Sequence, residues 1–243
     1  MKSENIKNVL AFAFISILLV LSIIFINTFF ATILSDRDID ADLEPFPIIV
    51  LDAGHGGADG GAVGYDGTLE KDLNLQITKT LADLLRVSGY DVIMTRTEDV
   101  MLSTDDGIGS SKMQDLKQRL SISSEHPDTI TISIHCNKFP SASCKGLQVY
   151  HSDSEKAAAL AESVQSSVAT ILQTGNKRQI KKADSSIYLL HRAKNPSILI
   201  ECGFLSNPDE CASLSDQGYQ KQLSAILLCA ISSKYPPNSI LES

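Results

Sequence analysis

The 243-residue chain lacks several patterns on which common kinds of site depend. No CxxC pair occurs among its five cysteines, which excludes a structural zinc knuckle. Its glycine-rich turn fails the G-x-G-x-x-G spacing because Asp59 stands where the third glycine is required, and no G-K-[ST] follows. There is also no H-E-x-x-H motif. These absences argue against a phosphate-binding glycine loop and against the helical zinc-protease motif.

Positive charge is scarce as well. The chain has 21 Lys and Arg against 29 Asp and Glu, so its formal net charge is −8. Proteins bind nucleic acids and anionic surfaces through clustered Lys and Arg, so this balance predicts no nucleic-acid partner. Apolar residues make up 43% of the chain, which excludes a disordered protein.

A third absence is local, since residues 8–35 contain no charged side chain. Within them, Val9 to Leu34 is long enough to cross a bilayer, which takes about 20 helical residues. Lys2 and Lys7 precede this run and acidic residues follow it, which predicts an extracytoplasmic location for the rest of the chain. The run exceeds the ~7–15 apolar residues of a cleaved signal peptide, so we expect an uncleaved anchor, with cleavage as the alternative.

These boundaries give a predicted domain organisation. The segments are a signal-anchor helix at 1–35, an acidic tether at 36–46, a folded domain at 47–235 and a flexible tail at 236–243. In the folded part, apolar β-rich runs alternate with segments of helical spacing. The predicted strands are 48–51, 92–94, 129–135, 146–151 and 197–202, and the predicted helices are 72–87, 113–124, 155–173 and 219–234. This alternation is typical of an α/β layered domain with a mostly parallel central sheet flanked by helices.

Chemically active residues follow or end the predicted strands, where α/β sheets form their sites. His55 follows the first strand, His135 ends the third and Glu201 lies in the last, while Glu70 precedes the first helix. Two histidines and one carboxylate form a donor set that suits a catalytic zinc ion. Their spacing alone does not distinguish ligands from structural residues. Glu201 is more informative, because a carboxylate within an apolar strand is costly unless it is paired or active.

At these residues the sequence resembles the zinc-dependent N-acetylmuramoyl-L-alanine amidases of the type-3 amidase family. The matching stretches, in the family's order, are IVLDAGHGGADGGAVG, LEKDLNL, VIMTRTED, ISIHCN and ILIECGFLSNPDE. The resemblance implies that His55, Glu70 and His135 bind one Zn²⁺ and that Glu201 is the catalytic carboxylate. It also implies cleavage of the amide between the lactyl group of N-acetylmuramic acid and the L-alanine of peptidoglycan stem peptides.

Within the family, the chain is most similar to the germination-specific amidases of spore-forming bacteria. The supporting features are one membrane-targeting segment, a catalytic domain without wall-binding repeats and the stretch DDGIGSSKMQDLKQRL. The resemblance implies action on the spore cortex during muramic-δ-lactam formation, in the cell envelope or between the forespore membranes, and a lipoprotein partner for some members. A vegetative or sporulation amidase and a zinc peptidase acting on the stem peptide are the alternatives.

Other polar residues have two interpretations. Asp52, Asn74 and Asn137 could orient the metal ligands by hydrogen bonds, or they could be ordinary polar residues at strand ends and helix starts. Arg96 could bind a substrate carboxylate or brace the fold. Arg119 is interpreted as structural.

The remaining histidines and cysteines are predicted to be outside the chemistry. We expect His151 and His191 not to bind metal. Cys136, Cys202 and Cys229 lie in apolar stretches and are predicted to be small core residues.

Overall fold

A computed structural model describes residues 47–103, 111–126 and 128–237. The predicted signal anchor at 1–35 and tether at 36–46 lie outside these residues, as does most of the predicted tail at 236–243. Within the described ranges, no helix combines the length and the apolar character that a bilayer crossing requires.

The described residues contain one six-stranded sheet with helices on its faces. The strands are β1 (Ile48–Ala53), β2 (Val92–Met94), β3 (Thr129–Asn137), β4 (Gln148–His151), β5 (Lys181–Lys182) and β6 (Ser197–Phe204). The helices are α1 (Glu70–Val87), α2 (Ser111–Ser123), α3 (Glu155–Ile171), α4 (Tyr188–Arg192), α5 (Pro208–Ser215) and α6 (Gln217–Ser232).

The strand order is β2-β1-β3-β6-β4-β5. Strands β2, β1, β3 and β6 run parallel, whereas β4 is antiparallel to β6 and carries β5 at the edge. The prediction of a mostly parallel central sheet flanked by helices is therefore confirmed. The parallel arrangement brings the carboxyl ends of β1, β3 and β6 to one edge of the sheet, which is where α/β folds place their sites.

The two faces of the central strands differ because successive side chains point in opposite directions. One face carries the main apolar core, in which Ile132, Ile134 and Ile200 are fully buried beneath α1, α3 and α6. On the other face, Leu199 packs with Leu189 of α4 in a smaller cluster. Alternation places polar residues of β1, β3 and β6 on that second face, namely Asp52, Ser133, His135 and Glu201.

Local signals explain where the long helices begin and end. Helix α1 ends at Val87, the predicted last residue, and Gly89 follows with a φ of 89° while the Tyr90 amide donates back to the Leu85 carbonyl. Its first residue is Glu70, two residues before the predicted start. Helix α5 was not predicted, although Asn207 caps it by accepting hydrogen bonds from the Asp209 and Glu210 amides.

The cysteine predictions are confirmed in two cases of three. Cys136 and Cys202 are buried on the main core face. Cys229 is exposed, so the prediction of a core position is wrong. The reason is helical phase: α6 turns Leu223, Leu227 and Ala230 inward, and position 229 falls on the opposite side.

Candidate metal centre and active site

The site begins at the sharp turn after β1. His55 has a φ of 61°, an uncommon conformation for a residue with a side chain, and Gly56 and Gly57 follow it with positive φ values. Gly56 and Asp59 close the turn by reciprocal backbone hydrogen bonds of 2.9 and 3.1 Å. The Arg119 guanidinium donates to the His55 carbonyl at 2.7 Å. A strained residue held by so many contacts is typical of a functional site.

The three predicted ligands meet at this turn. The His55 Nε2 atom lies 3.3 Å from Glu70 Oε1, and His135 Nδ1 lies 2.9 Å from the same oxygen. One donor atom from each residue lies within 4.8 Å of the other two. His151 and His191 take no part in this group, and His151 Nδ1 instead contacts the Ser152 carbonyl.

Two glycines leave the space that the ligands occupy. A Cβ on Gly54 would lie 2.2 Å from the His135 ring. A Cβ on Gly61 would lie 2.6 Å from Glu70 Oε2 and 2.8 Å from the His55 ring, and Gly61 also has a φ of 66°. The glycines of this turn therefore permit both the backbone path and the close approach of the ligand side chains.

Glu70 is buried and kept charged by hydrogen bonds. Its Oε2 accepts from the Ala62 amide at 2.8 Å, and its Oε1 accepts from the Cys136 amide and from Asn74 Nδ2, both at 3.2 Å. Burial acts to raise the pKa of Glu70, but hydrogen bonds and charge from His135 and His55 outweigh it and lower the pKa. Asn74 also donates to the Gly54 carbonyl at 3.1 Å, a geometry that favours its interpretation as an orienting residue.

Asp52 belongs to a buried ion-pair network beside the ligands. It accepts from Arg119 Nη1 at 2.6 Å, from Thr95 Oγ1 at 2.8 Å and from Ser133 Oγ at 2.5 Å. Burial opposes ionisation, yet these contacts lower the pKa of Asp52. Arg119 also donates from Nε to Asp115 Oδ2 at 2.6 Å. Asp52 thus acts on the His55 turn through Arg119, which has the structural role predicted for it.

Arg96 and Asn137 have structural contacts. Arg96 is 3% exposed and donates to the backbone carbonyls of Ala53, Gly54, Lys71 and Glu98. This geometry favours a brace over a substrate-carboxylate ligand, because the guanidinium is committed to backbone groups. Asn137 follows a bulge in β3, and its carbonyl accepts from the Leu205 amide at 2.7 Å.

Glu201 faces the same site from the neighbouring strand. It lies opposite His135 in the β3–β6 register, and its Oε2 is buried without a hydrogen-bond partner. Burial is the largest influence on its carboxyl group; together with the Glu70 charge it outweighs the opposing histidines and raises the pKa of Glu201 to about 7. A carboxyl with one buried, unpaired oxygen and a pKa near neutrality is suited to proton transfer.

A cavity of about 220 Å³ opens over this group. Its walls include the predicted ligands His55 and His135, the catalytic candidate Glu201 and residues of α2 such as Lys112. Residues 186–189, at the start of α4, close another side, and no sequence pattern predicted a role for them. Asp59 was not predicted either, and its Oδ2 lies 2.9 Å from His55 Nδ1. The signal for Asp59 was an acidic residue four positions after a histidine in a glycine-rich turn.

Comparison with known proteins identifies the family and agrees with this fold. A model of the N-acetylmuramoyl-L-alanine amidase family matches residues 49–233. The chain therefore belongs to the N-acetylmuramoyl-L-alanine amidase family.

Three amidases illustrate how similar this chain is to known members of the family. The chain is 37% identical over 184 residues to the germination-specific N-acetylmuramoyl-L-alanine amidase of Bacillus subtilis, covering 73% of this chain and 75% of that protein. The CwlD amidase of Clostridioides difficile, solved in complex with the GerS lipoprotein, superposes with a TM-score of 0.73 at 37% identity, over 77% of this chain and 98% of that one. The amidase AmiC2 of Nostoc punctiforme gives a TM-score of 0.67 at 31% identity, over 77% and 96%.

Proposed function

We propose that this peptidoglycan amidase is a zinc-dependent hydrolase that cleaves the amide between the muramic lactyl group and L-alanine, with the spore cortex as its substrate. Membership of the N-acetylmuramoyl-L-alanine amidase family supports the amidase activity. The similarity to a germination-specific amidase and to CwlD, each at 37% identity, supports the cortex as substrate.

The residues present fit a zinc ion. Two imidazole nitrogens and one carboxylate oxygen converge within 4.8 Å, and a hydrolytic zinc site uses three such ligands with a fourth position open. The cavity above them gives access to that position. We therefore assign His55, Glu70 and His135 as the ligands.

When bound, zinc supplies a Lewis acid that makes a water molecule more acidic and polarises the scissile carbonyl. Glu201 accepts a proton from the attacking water on its unpaired Oε2 and returns it to the leaving amine of L-alanine. Asn74 and the Cys136 amide hold the Glu70 carboxylate in place during this transfer. The observation that carries this assignment is the buried, unpaired Glu201 oxygen opposite His135.

Matched variants at the site test these roles. Glu201→Gln keeps the shape of the side chain but cannot accept the proton, so we expect bound zinc to remain while hydrolysis falls by about 10²-fold or more. His55→Ala removes a ligand, so we expect this variant to lose both bound zinc and hydrolysis. Zinc content by atomic spectroscopy and release of peptide from peptidoglycan measure the two effects. Undiminished turnover by Glu201→Gln would refute the role given to Glu201.

The products of digestion separate the candidate reactions. Purified cortex and vegetative peptidoglycan are digested with and without a chelator, and the products are identified by mass spectrometry. An amidase releases intact stem peptides and leaves free lactyl groups, whereas a peptidase shortens the stems. Equal rates on both substrates would favour a vegetative or general sporulation amidase. Absence of lactyl-amide cleavage on either substrate, even with cell extract added, would refute the proposal.

The proposal includes a location and a partner. We place the enzyme outside the cytoplasm, attached by the predicted anchor at 1–35 and tether at 36–46. The complex of CwlD with GerS supports a lipoprotein partner for this chain too. Fractionation of cells expressing the full chain and a variant lacking 1–35 tests the anchor. Affinity purification from sporulating cells tests the partner.

A further inference from the structure

The two ring nitrogens of His55 face different carboxylates. Nε2 points into the ligand group, 3.3 Å from Glu70 Oε1. Nδ1 points away from it, 2.9 Å from Asp59 Oδ2. A neutral imidazole carries one proton, so the nitrogen that donates to a carboxylate decides which nitrogen keeps a free lone pair.

Asp59 is itself held in place, unlike an ordinary surface acid. Its Oδ1 accepts from the Gly61 amide at 3.1 Å, and its backbone exchanges two hydrogen bonds with Gly56. Lys112 of α2 lies 3.6 Å from Oδ2, and the Asp59 side chain is 22% exposed. The carboxylate therefore meets His55 with a fixed position and orientation.

The backbone conformation of His55 does not by itself fix the orientation of its ring. Its φ of 61° projects the ring from a strained turn, and the hydrogen bonds that hold this turn are to backbone atoms and do not fix the ring. Metal-binding histidines are commonly oriented by a carboxylate on the nitrogen that does not bind the metal.

We propose that Asp59 is a positioning residue that holds His55 as the Nδ1–H tautomer and directs Nε2 to the metal position. This inference rests on the proposed zinc site. It predicts that, without Asp59, His55 no longer favours the Nδ1–H tautomer and its ring is no longer held in one orientation, while the fold remains intact.

The tautomer is measured first, in metal-free full-length protein in detergent micelles, by ¹⁵N NMR of the histidine rings. In alkaline buffer, where the neutral ring carries one proton, the wild-type His55 is expected to show a protonated Nδ1 and an unprotonated Nε2, because Asp59 lies closer to its ring nitrogen than Glu70 does. In Asp59→Ala the ring is expected to populate the Nε2–H form, which dominates in free histidine. Asp59→Asn keeps an acceptor oxygen without the charge and is expected to restore part of the wild-type pattern. An unchanged ring spectrum in Asp59→Ala would overturn the proposal.

Zinc affinity is measured next, by competition with a chromophoric chelator. Asp59→Ala is expected to bind zinc about 10- to 100-fold more weakly than the wild type. Asp99→Ala is the matched control, because Asp99 braces the same turn through the Gly57 amide at 2.7 Å and Lys71 but touches no ligand. If both variants lost zinc affinity equally, Asp59 would only stabilise the loop, and the proposal would be contradicted. If the wild type itself bound no zinc, the proposed function would fail and the NMR result would still decide the role of Asp59.

Discussion

Replacing Gly54 by alanine adds one methyl group at the point where β1 enters the active-site turn. The added Cβ would lie 2.2 Å from Cε1 and Nε2 of His135, whereas ordinary contacts begin at 3.4 Å. The Gly54 backbone is not in the left-handed region, so alanine can adopt its conformation without strain. The His135 ring must therefore give way, and with it one of the three assigned ligands.

The size of the effect follows from these distances. The ring must retreat by about 1 Å to restore van der Waals contact. A misplacement of ~1 Å costs roughly 10²-fold in catalysis, and we expect at least a ~10-fold loss of zinc affinity. The fold should lose only the ~1–3 kcal/mol that is usual for local overpacking, because the Gly54 amide can keep its hydrogen bond to the Ile134 carbonyl at 3.1 Å.

Zinc affinity is measured by chelator competition, the free energy of unfolding by urea denaturation, and catalysis by peptide release from cortex. Gly60→Ala is the matched control from the same turn, since its Cβ would meet only Leu69 at 3.7 and 3.9 Å and its backbone is unstrained. We expect Gly60→Ala to resemble the wild type. If Gly54→Ala bound zinc with wild-type affinity, the steric reasoning would be refuted.

Further predictions concern the buried charges. Arg119→Met leaves the buried carboxylates of Asp52 and Asp115 without their cationic partner. We therefore expect it to lower the free energy of unfolding by about 3–5 kcal/mol in urea denaturation. The control Arg86→Met removes an exposed pair and should change it by less than ~0.5 kcal/mol. Because contacts in the folded state lower the pKa of Asp52 below 3.8, its carboxylate stabilises the fold above that pH. The contribution disappears as the pH falls through the folded pKa, a step that Asp52→Asn should remove from the acid-unfolding curve. In metal-free protein, the carboxyl C=O infrared band of Glu201 should titrate with a pKa of about 7 and be absent from Glu201→Gln.

The parts of the fold that the sequence predicts are those with local signals. Strands β1 and β6 contain short apolar runs, β3 alternates isoleucine with polar residues, and α1 has both apolar periodicity and a glycine just after its end. Helix α4 has five residues and no side-chain cap, and β5 has two exposed lysines, so neither carries a periodic pattern. Helix α4 owes its place to tertiary packing of Leu189 against Leu199, which local sequence does not reveal.

The site shows the same division. Motif resemblance predicts His55, Glu70 and His135 as ligands. Their convergence depends on the parallel pairing of β1 with β3 and on the packing of α1 against β1 and β3, which are contacts between residues far apart in the chain. Asp59 was passed over because an acid between glycines also suits an ordinary turn. Its contact with His55 depends on the fold of the turn, which brings its carboxylate to 2.9 Å from Nδ1.

The position of the site strands within the sheet has a consequence for stability. Strands β1, β3 and β6, which carry or lead into the catalytic side chains, occupy the centre, while β2 on one side and β4 with β5 on the other form the margins. Amide hydrogen exchange should therefore be fastest at the margins and slowest in β3 and β6, which open only with global unfolding. Fraying of β5, at the edge away from the predicted ligands, leaves their geometry intact, so heat inactivation should coincide with cooperative unfolding of the whole domain.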